Sequence, residues 1–157
     1  MDAARFARGG LAALLLAGLS GAALGQEPAP GPQPDRQRFR WPLRGAIIQG
    51  FQAGANDGID IAAPIGEPVH AAADGVCVAA GEEIQTYGKL VVIRHDGGYV
   101  TVYADNSELE VKEGDKVRRG QIIARSGQSG GAPSPRLHFE LHRDGQAIDP
   151  IKSLVPL

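Results

Sequence analysis

The stretch Pro133-Ser134-Pro135-Arg136-Leu137-His138-Phe139-Glu140-Leu141-His142-Arg143-Asp144-Gly145 holds two of the chain's four histidines. Two readings compete over it. On a helix, His138 and His142 would share a face at i, i+4, the spacing of zinc-binding helices. Two prolines just upstream and the Asp144-Gly145 turn signal oppose a helix. Between them Leu137, Phe139 and Leu141 alternate with His138, Glu140 and His142. Period two predicts a half-buried strand, with apolar side chains on one face and polar ones on a wet face opposite. That polar face carries the residue types of a metal or acid–base site, but spacing alone assigns neither.

Working outward, the other apolar runs are equally short and bounded by glycine. AIIQGF (46–51), GIDIA (58–62), GVCVAAG (75–81), KLVVIRH (89–95), YVTVY (99–103) and QIIARSG (121–127) are rich in valine and isoleucine and read as strands. Asp96-Gly97-Gly98 joins two of them with residues that accept positive φ, which predicts a hairpin. No amphipathic helix follows residue 38, so the expected class is all-β, a sheet sandwich or barrel. A weak repeat runs through it. Gly66-Glu67-Pro68-Val69 leads to the strand at 75–81, and Gly114-Asp115-Lys116-Val117 leads to the strand at 121–127. Two similar hairpin units packed together are the expectation.

The N-terminus has the three regions of a secretory signal peptide. Arg5 and Arg8 precede an apolar run from Leu11 to Leu19, and Ala23-Leu24-Gly25 supplies small residues for cleavage. The run is shorter than the about 20 apolar residues of a membrane span. Residues 1–25 are therefore assigned as leader, 26–38 as a proline-rich linker and 39–157 as one domain. No cysteine follows the leader at the cleavage site, which argues against a lipid anchor. The single cysteine, Cys77, sits in an apolar run and is expected to be a buried, inert thiol. Losing Arg5, Arg8 and Asp2 with the leader leaves a charge one unit more negative than the whole chain's −2. Aromatics are only 5% of residues, so nucleic acid is not an expected partner. Arg36, Arg38, Arg40 and Arg44 read as a solvated domain entrance.

With these pieces in order, the chain from Phe39 to Pro150 resembles a lysostaphin-type (LytM) domain, the fold of zinc peptidoglycan endopeptidases. The resemblance rests on FRWPLRGAIIQGF, DGIDIAAPIGEPVHAAADGVCVAAG, YGKLVVIRHDGGYVTVYA, GDKVRRGQIIARSGQSG and LHFEL. It implies a twisted antiparallel sheet with a duplicated hairpin build, and a secreted, periplasmic location. Active members carry a histidine ligand where this chain has Asn56, and an aspartate ligand at Asp60. Their third ligand is the second histidine of a His-x-His pair, matched here by His138. The first histidine of that pair is Arg136 here, and a further catalytic histidine after Tyr-x is Asp105.

Two ligands thus remain, Asp60 and His138, as a vestige, and both catalytic histidines are replaced. A catalytic zinc needs three protein ligands and an open position for water. A neutral amide at Asn56 is a poor substitute for imidazole. The Arg136 guanidinium is a permanent cation that accepts no proton. It is expected to pair with Asp60 or Asp105 in place of the metal, in bidentate fashion. The resemblance therefore implies a non-catalytic protein with no cofactor, of the branch that activates cell-wall amidases. Asn56, Asp60, Asp105, Arg136 and His138 would line a groove gripping a periplasmic N-acetylmuramoyl-alanine amidase, with peptidoglycan as a second partner. The alternatives are a zinc endopeptidase with altered ligands and a plain peptidoglycan-binding protein. A biotinyl- or lipoyl-type carrier is disfavoured, because Lys89 and Lys116 lack the flanks of an attachment site. Among the other histidines, His95 is expected to be a structural hydrogen-bonding residue and His70 to be exposed. His142, four residues along the strand from His138, lies about 13 Å away and outside any shared ligand shell.

Overall fold

The computed structural model describes residues 39–156. The proposed leader and linker lie outside the described residues. Eleven strands follow in order: β1 (Ile47–Gln49), β2 (Gly58–Ala62), β3 (Pro68–His70), β4 (Gly75–Gly81), β5 (Lys89–Arg94), β6 (Tyr99–Asn106), β7 (Glu108–Leu109), β8 (Lys116–Val117), β9 (Ile122–Arg125), β10 (Arg136–Arg143) and β11 (Gln146–Ile148). The only helical pieces among the described residues are single 3-10 turns at Asp96–Gly98 and Pro150–Lys152. Every strand pairing is antiparallel. The large sheet runs β1-β2-β10-β6-β5-β4-β8, with β11 on the end of β10, and a small sheet runs β3-β9-β7.

The expected all-β architecture is therefore present. Asp96–Gly98 makes the β5–β6 connection, with Gly97 and Gly98 at φ 78° and 79°, a region that glycine enters without steric cost. The repeat is also present, but not as two separate hairpins, because its strands are interleaved. Strands β3 and β4 of the first unit do not pair with each other: β3 pairs with β9 and β4 with β8, both from the second unit. The approach to each pairing is the same. Gly66 N–H donates to Ser126 O, and Ser126 N–H to Glu67 O. Gly114 N–H donates to Cys77 O, and Cys77 N–H to Asp115 O. Gly66 and Gly114 have matching φ of 96° and 95°.

One expectation is corrected by the position of β10. It lies between β2 and β6, and seven of its eight residues are buried. Its apolar face, Leu137, Phe139 and Leu141, packs with Ile59, Ile61, Ile93 and Tyr103 against Val69, Ile123 and Ala124 of the small sheet. The opposite face is not wet. There His138 and Glu140 are fully buried and His142 is 2% exposed. A second apolar cluster, Tyr87, Leu90, Val92, Val100, Val102 and Ala104, stands on this side of the sheet. Alternation in β10 separates polar from apolar, not outside from inside.

Candidate functional site

The β2–β10 register sets Asp60 directly opposite His138, Ala62 opposite Arg136 and Gly58 opposite Glu140. Cross-strand neighbours stand close enough for side-chain contact. Asp60 Oδ1 is 2.7 Å from His138 Nδ1, and Asp60 Oδ2 accepts from Arg136 Nη1 at 3.1 Å. Arg136 is further fixed on its own loop, donating from Nε to Ser134 O at 3.1 Å and from Nη2 to Ser134 Oγ at 2.9 Å. The expected pairing with Asp60 is there, but through one guanidinium nitrogen rather than two. The second carboxylate oxygen is held by His138, so the bidentate form is corrected.

The contacts continue along β10. His138 Nε2 is 2.9 Å from Glu140 Oε1, which also accepts from Tyr87 Oη at 2.9 Å. Glu140 Oε2 is 2.6 Å from His142 Nε2. The His142 Nδ1 is buried without a hydrogen-bond partner. Both nitrogens of His138 face carboxylate oxygens, which accept only, so both nitrogens must donate and the ring is an imidazolium. Burial by itself would lower its pKa. The hydrogen bonds and charges of Asp60 and Glu140 outweigh that and raise it to about 9. Burial likewise works to raise Glu140, but bonds from His138 and His142 bring it down to about 2. Arg136, Asp60, His138 and Glu140 thus form a buried ladder of alternating sign, its charges cancelling in pairs.

The remaining predicted site residues, Asn56 and Asp105, are buried too. Asn56 is buried, and its Nδ2 donates to Gly50 O at 3.0 Å and Gly58 O at 2.9 Å, stapling the β1–β2 loop. Asp105 is fully buried next to Ala104, the β6 partner of His138, with φ 65°. Its N–H donates to Tyr87 O at 2.9 Å, and its carbonyl accepts from Ser129 N–H at 3.3 Å. All five predicted groove residues are therefore buried, at 0–7% exposure. Residues of the loops at 82–88 and 128–135 contact them: Asp105 bonds Tyr87 and Ser129 through the main chain, and Arg136 is held by Ser134. Glu140 and Tyr87 were not singled out from sequence. The signal for Glu140 was its place between His138 and His142 on one strand face. Nothing local marked Tyr87.

His95 is structural, as expected: Nδ1 is 2.7 Å from Asp74 O and Nε2 is 2.8 Å from Thr101 Oγ1. Its burial lowers its pKa. His70 is half-buried, not exposed, because β3 pairs with β9 and brings Nδ1 to 2.9 Å from Gly120 O. His142 does not share a contact with His138, but Glu140 bridges the two. Cys77 is buried as expected, which pushes its thiol up to about 11.

The family profile that matches is Peptidase family M23, over residues 54–150. The chain belongs to peptidase family M23. Its M23 domain is 42% identical over 118 residues to the murein hydrolase activator NlpD of Escherichia coli, covering 74% of this chain and 31% of that protein. It is 44% identical to the lipoprotein NlpD/LppB homologue of Pseudomonas aeruginosa, over 74% of this chain and 39% of that one. The cell division protein DipM of Caulobacter vibrioides is 40% identical over 76% of this chain and 20% of its own length. The chain thus spans less than half the length of these curated relatives. Among solved structures, a zinc-containing peptidase from Vibrio cholerae superposes with TM-score 0.69 at 31% identity, over 77% of this chain and 41% of that chain. The catalytic domain of lysostaphin from Staphylococcus simulans superposes with TM-score 0.58 at 34% identity, over 68% and 84%.

Zinc peptidases in the family raise the question of a metal here, and the donor set of this M23 domain does not fit one. Both Asp60 oxygens and both His138 nitrogens are engaged within the chain, and Asn56 offers a neutral amide where a third imidazole ligand would be needed. Among the described residues no group of three His, Cys, Asp or Glu side chains is arranged to hold a metal ion. No described helix is long and apolar enough to cross a membrane.

Proposed function

We propose that this chain is a non-catalytic M23 domain of the periplasm that binds and activates a peptidoglycan N-acetylmuramoyl-alanine amidase. The observation that carries the reading is the Arg136 guanidinium on Asp60 Oδ2, at the place where hydrolysis needs a metal and an imidazole. Relatives bearing the names murein hydrolase activator and cell division protein support the activating role. Asn56, Asp60, Asp105, Arg136 and His138 act as the rigid floor of the grip. The partner touches the rim, formed by the loops at 82–88 and 128–135, where Glu82, Glu83, Gln85, Gln128, Ser129 and Pro133 are exposed. Main-chain groups of such loops and their acidic and amide side chains suit a polar or basic partner segment.

The test is release of dye from labelled sacculi by the chain from residue 39 on, alone and with purified periplasmic amidases, with zinc assayed in the same preparation. The expected result is no release by the chain alone and faster release by at least one amidase in its presence. Release of cross-link fragments by the chain alone, with stoichiometric zinc, would establish an endopeptidase instead. Retention on sacculi without any amidase stimulation would reduce the role to wall binding.

A further inference from the structure

Asp60 is a position where active M23 domains hold metal, and here each of its oxygens carries a donor from β10. Arg136 is not a loose neighbour. Its three donor nitrogens are all used, one on Asp60 Oδ2 and two on Ser134, and its side chain is 8% accessible. The planar fork is thus held by its own loop in the one orientation that aims Nη1 at the carboxylate. A divalent ion approaching Asp60 would meet a fixed positive charge in a site of low dielectric, where repulsion is far stronger than in water. Asn56, the position of the missing third ligand, makes no such obstruction: its Nδ2 is turned to backbone carbonyls of its own loop.

We propose that Arg136 is a built-in cation that takes the metal's place on Asp60 and bars zinc, so that a histidine restored at position 56 does not restore metal binding while Arg136 remains. This concerns what the floor of the site holds, and it stands whether or not an amidase is activated. The Arg136–Asp60 contact then does for β2 and β10 what a metal would do, tying two strands and a loop at one carboxylate.

The experiment compares the wild type with Asn56→His, Asn56→His/Arg136→His and Asn56→His/Arg136→Gln. Each is equilibrated with zinc, and bound zinc and thermal melting are measured with and without chelator. Wild type and Asn56→His are expected to hold no stoichiometric zinc and to melt at the same temperature with or without it. At least one double variant is expected to bind zinc stoichiometrically, with a Tm raised by several degrees. A double variant that is unfolded without metal and folds on adding zinc counts as binding. Stoichiometric zinc in the wild type or in Asn56→His would overturn the proposal. So would failure of both double variants to take up zinc, folded or not, because Arg136 would then not be the bar.

Discussion

His138 and Asp60 stand directly opposite each other across the β2–β10 ladder, with Nδ1 2.7 Å from Oδ1. Contact between them is a consequence of register, not of long flexible side chains. Glu140, two residues on, faces Gly58, and a Cβ there would run into Phe139 O and the Glu140 side chain. The glycine leaves Glu140 room to lie along the strand and reach both His138 and His142. Charges buried in this way are costly to separate, since removing one leaves its partner uncompensated.

Glu140→Gln is therefore expected to lower stability by about 3 kcal/mol, because the His138 imidazolium loses one of its two carboxylates. Tyr87→Phe removes only the hydroxyl bonded to Glu140 Oε1 and should cost about 1.5 kcal/mol. The double variant should cost less than the two together, since the same carboxylate is the target of both. Urea denaturation of the four proteins checks this, and strict additivity would speak against a shared network.

The pH dependence has two limbs. His138 is raised from 6.5 to about 9, so its contribution is complete below pH 6.5 and is lost as pH rises towards 9. Glu140 is lowered from 4.5 to about 2, so its contribution is complete above pH 4.5 and is lost as pH falls towards 2. His95 is lowered from 6.5, so the unfolded chain takes its proton first and stability falls as pH drops below 6.5. Denaturation midpoints measured across this range should peak near pH 6.5, and His138→Gln should flatten the alkaline limb and, by removing one of the two bonds that hold Glu140 low, make the acid limb shallower as well.

Gly88 sits next to Tyr87 with φ 61°, and a Cβ there would collide with Ser129 and Gly130. Gly88→Ala should therefore push apart the loops at 82–88 and 128–135 and loosen Tyr87 from Glu140. A loss of about 2 kcal/mol is expected, from strained backbone and displaced neighbours together. Amide exchange should quicken at Asp105 and Ser129, whose N–H groups bond across this junction, more than in the β3–β9 pair.

Cys77 offers an independent check on the core. With 1% exposure and a thiol pushed up to about 11, it should resist alkylation at pH 8 in the folded protein and react fully in denaturant. Rapid labelling under native conditions would contradict the β4 packing.

Much of this was legible in the residues. Gly58–Ala62 and Gly75–Gly81 begin and end where the glycines and valines indicated, and Asp96–Gly98 turns as its composition required. The strands missed were β3, β7, β8 and β11, each of two or three residues, too short for any period to register. Exposure was the larger failure. Period two in β10 gave the correct faces, but whether the polar face is wet depends on what covers it. That cover includes Tyr87, which is distant in sequence and bonds Glu140 from the second apolar cluster. The Asp60–Arg136 contact was foreseeable from the family pattern. Its single-nitrogen geometry was not, because it depends on Ser134 occupying the other guanidinium nitrogens and His138 the other carboxylate oxygen.

The crossed pairing of β3 with β9 and β4 with β8 has a consequence for how the polypeptide reaches this state. Neither repeat can finish a ladder on its own, and β10 at the centre needs β2 and β6 from far upstream. Such distant pairings make closure slow and leave little that is stable half-made. The domain should thus assemble in one cooperative event, and two fragments produced by cleavage at the exposed Lys112–Glu113 turn would each carry the other's missing neighbours and recombine on mixing.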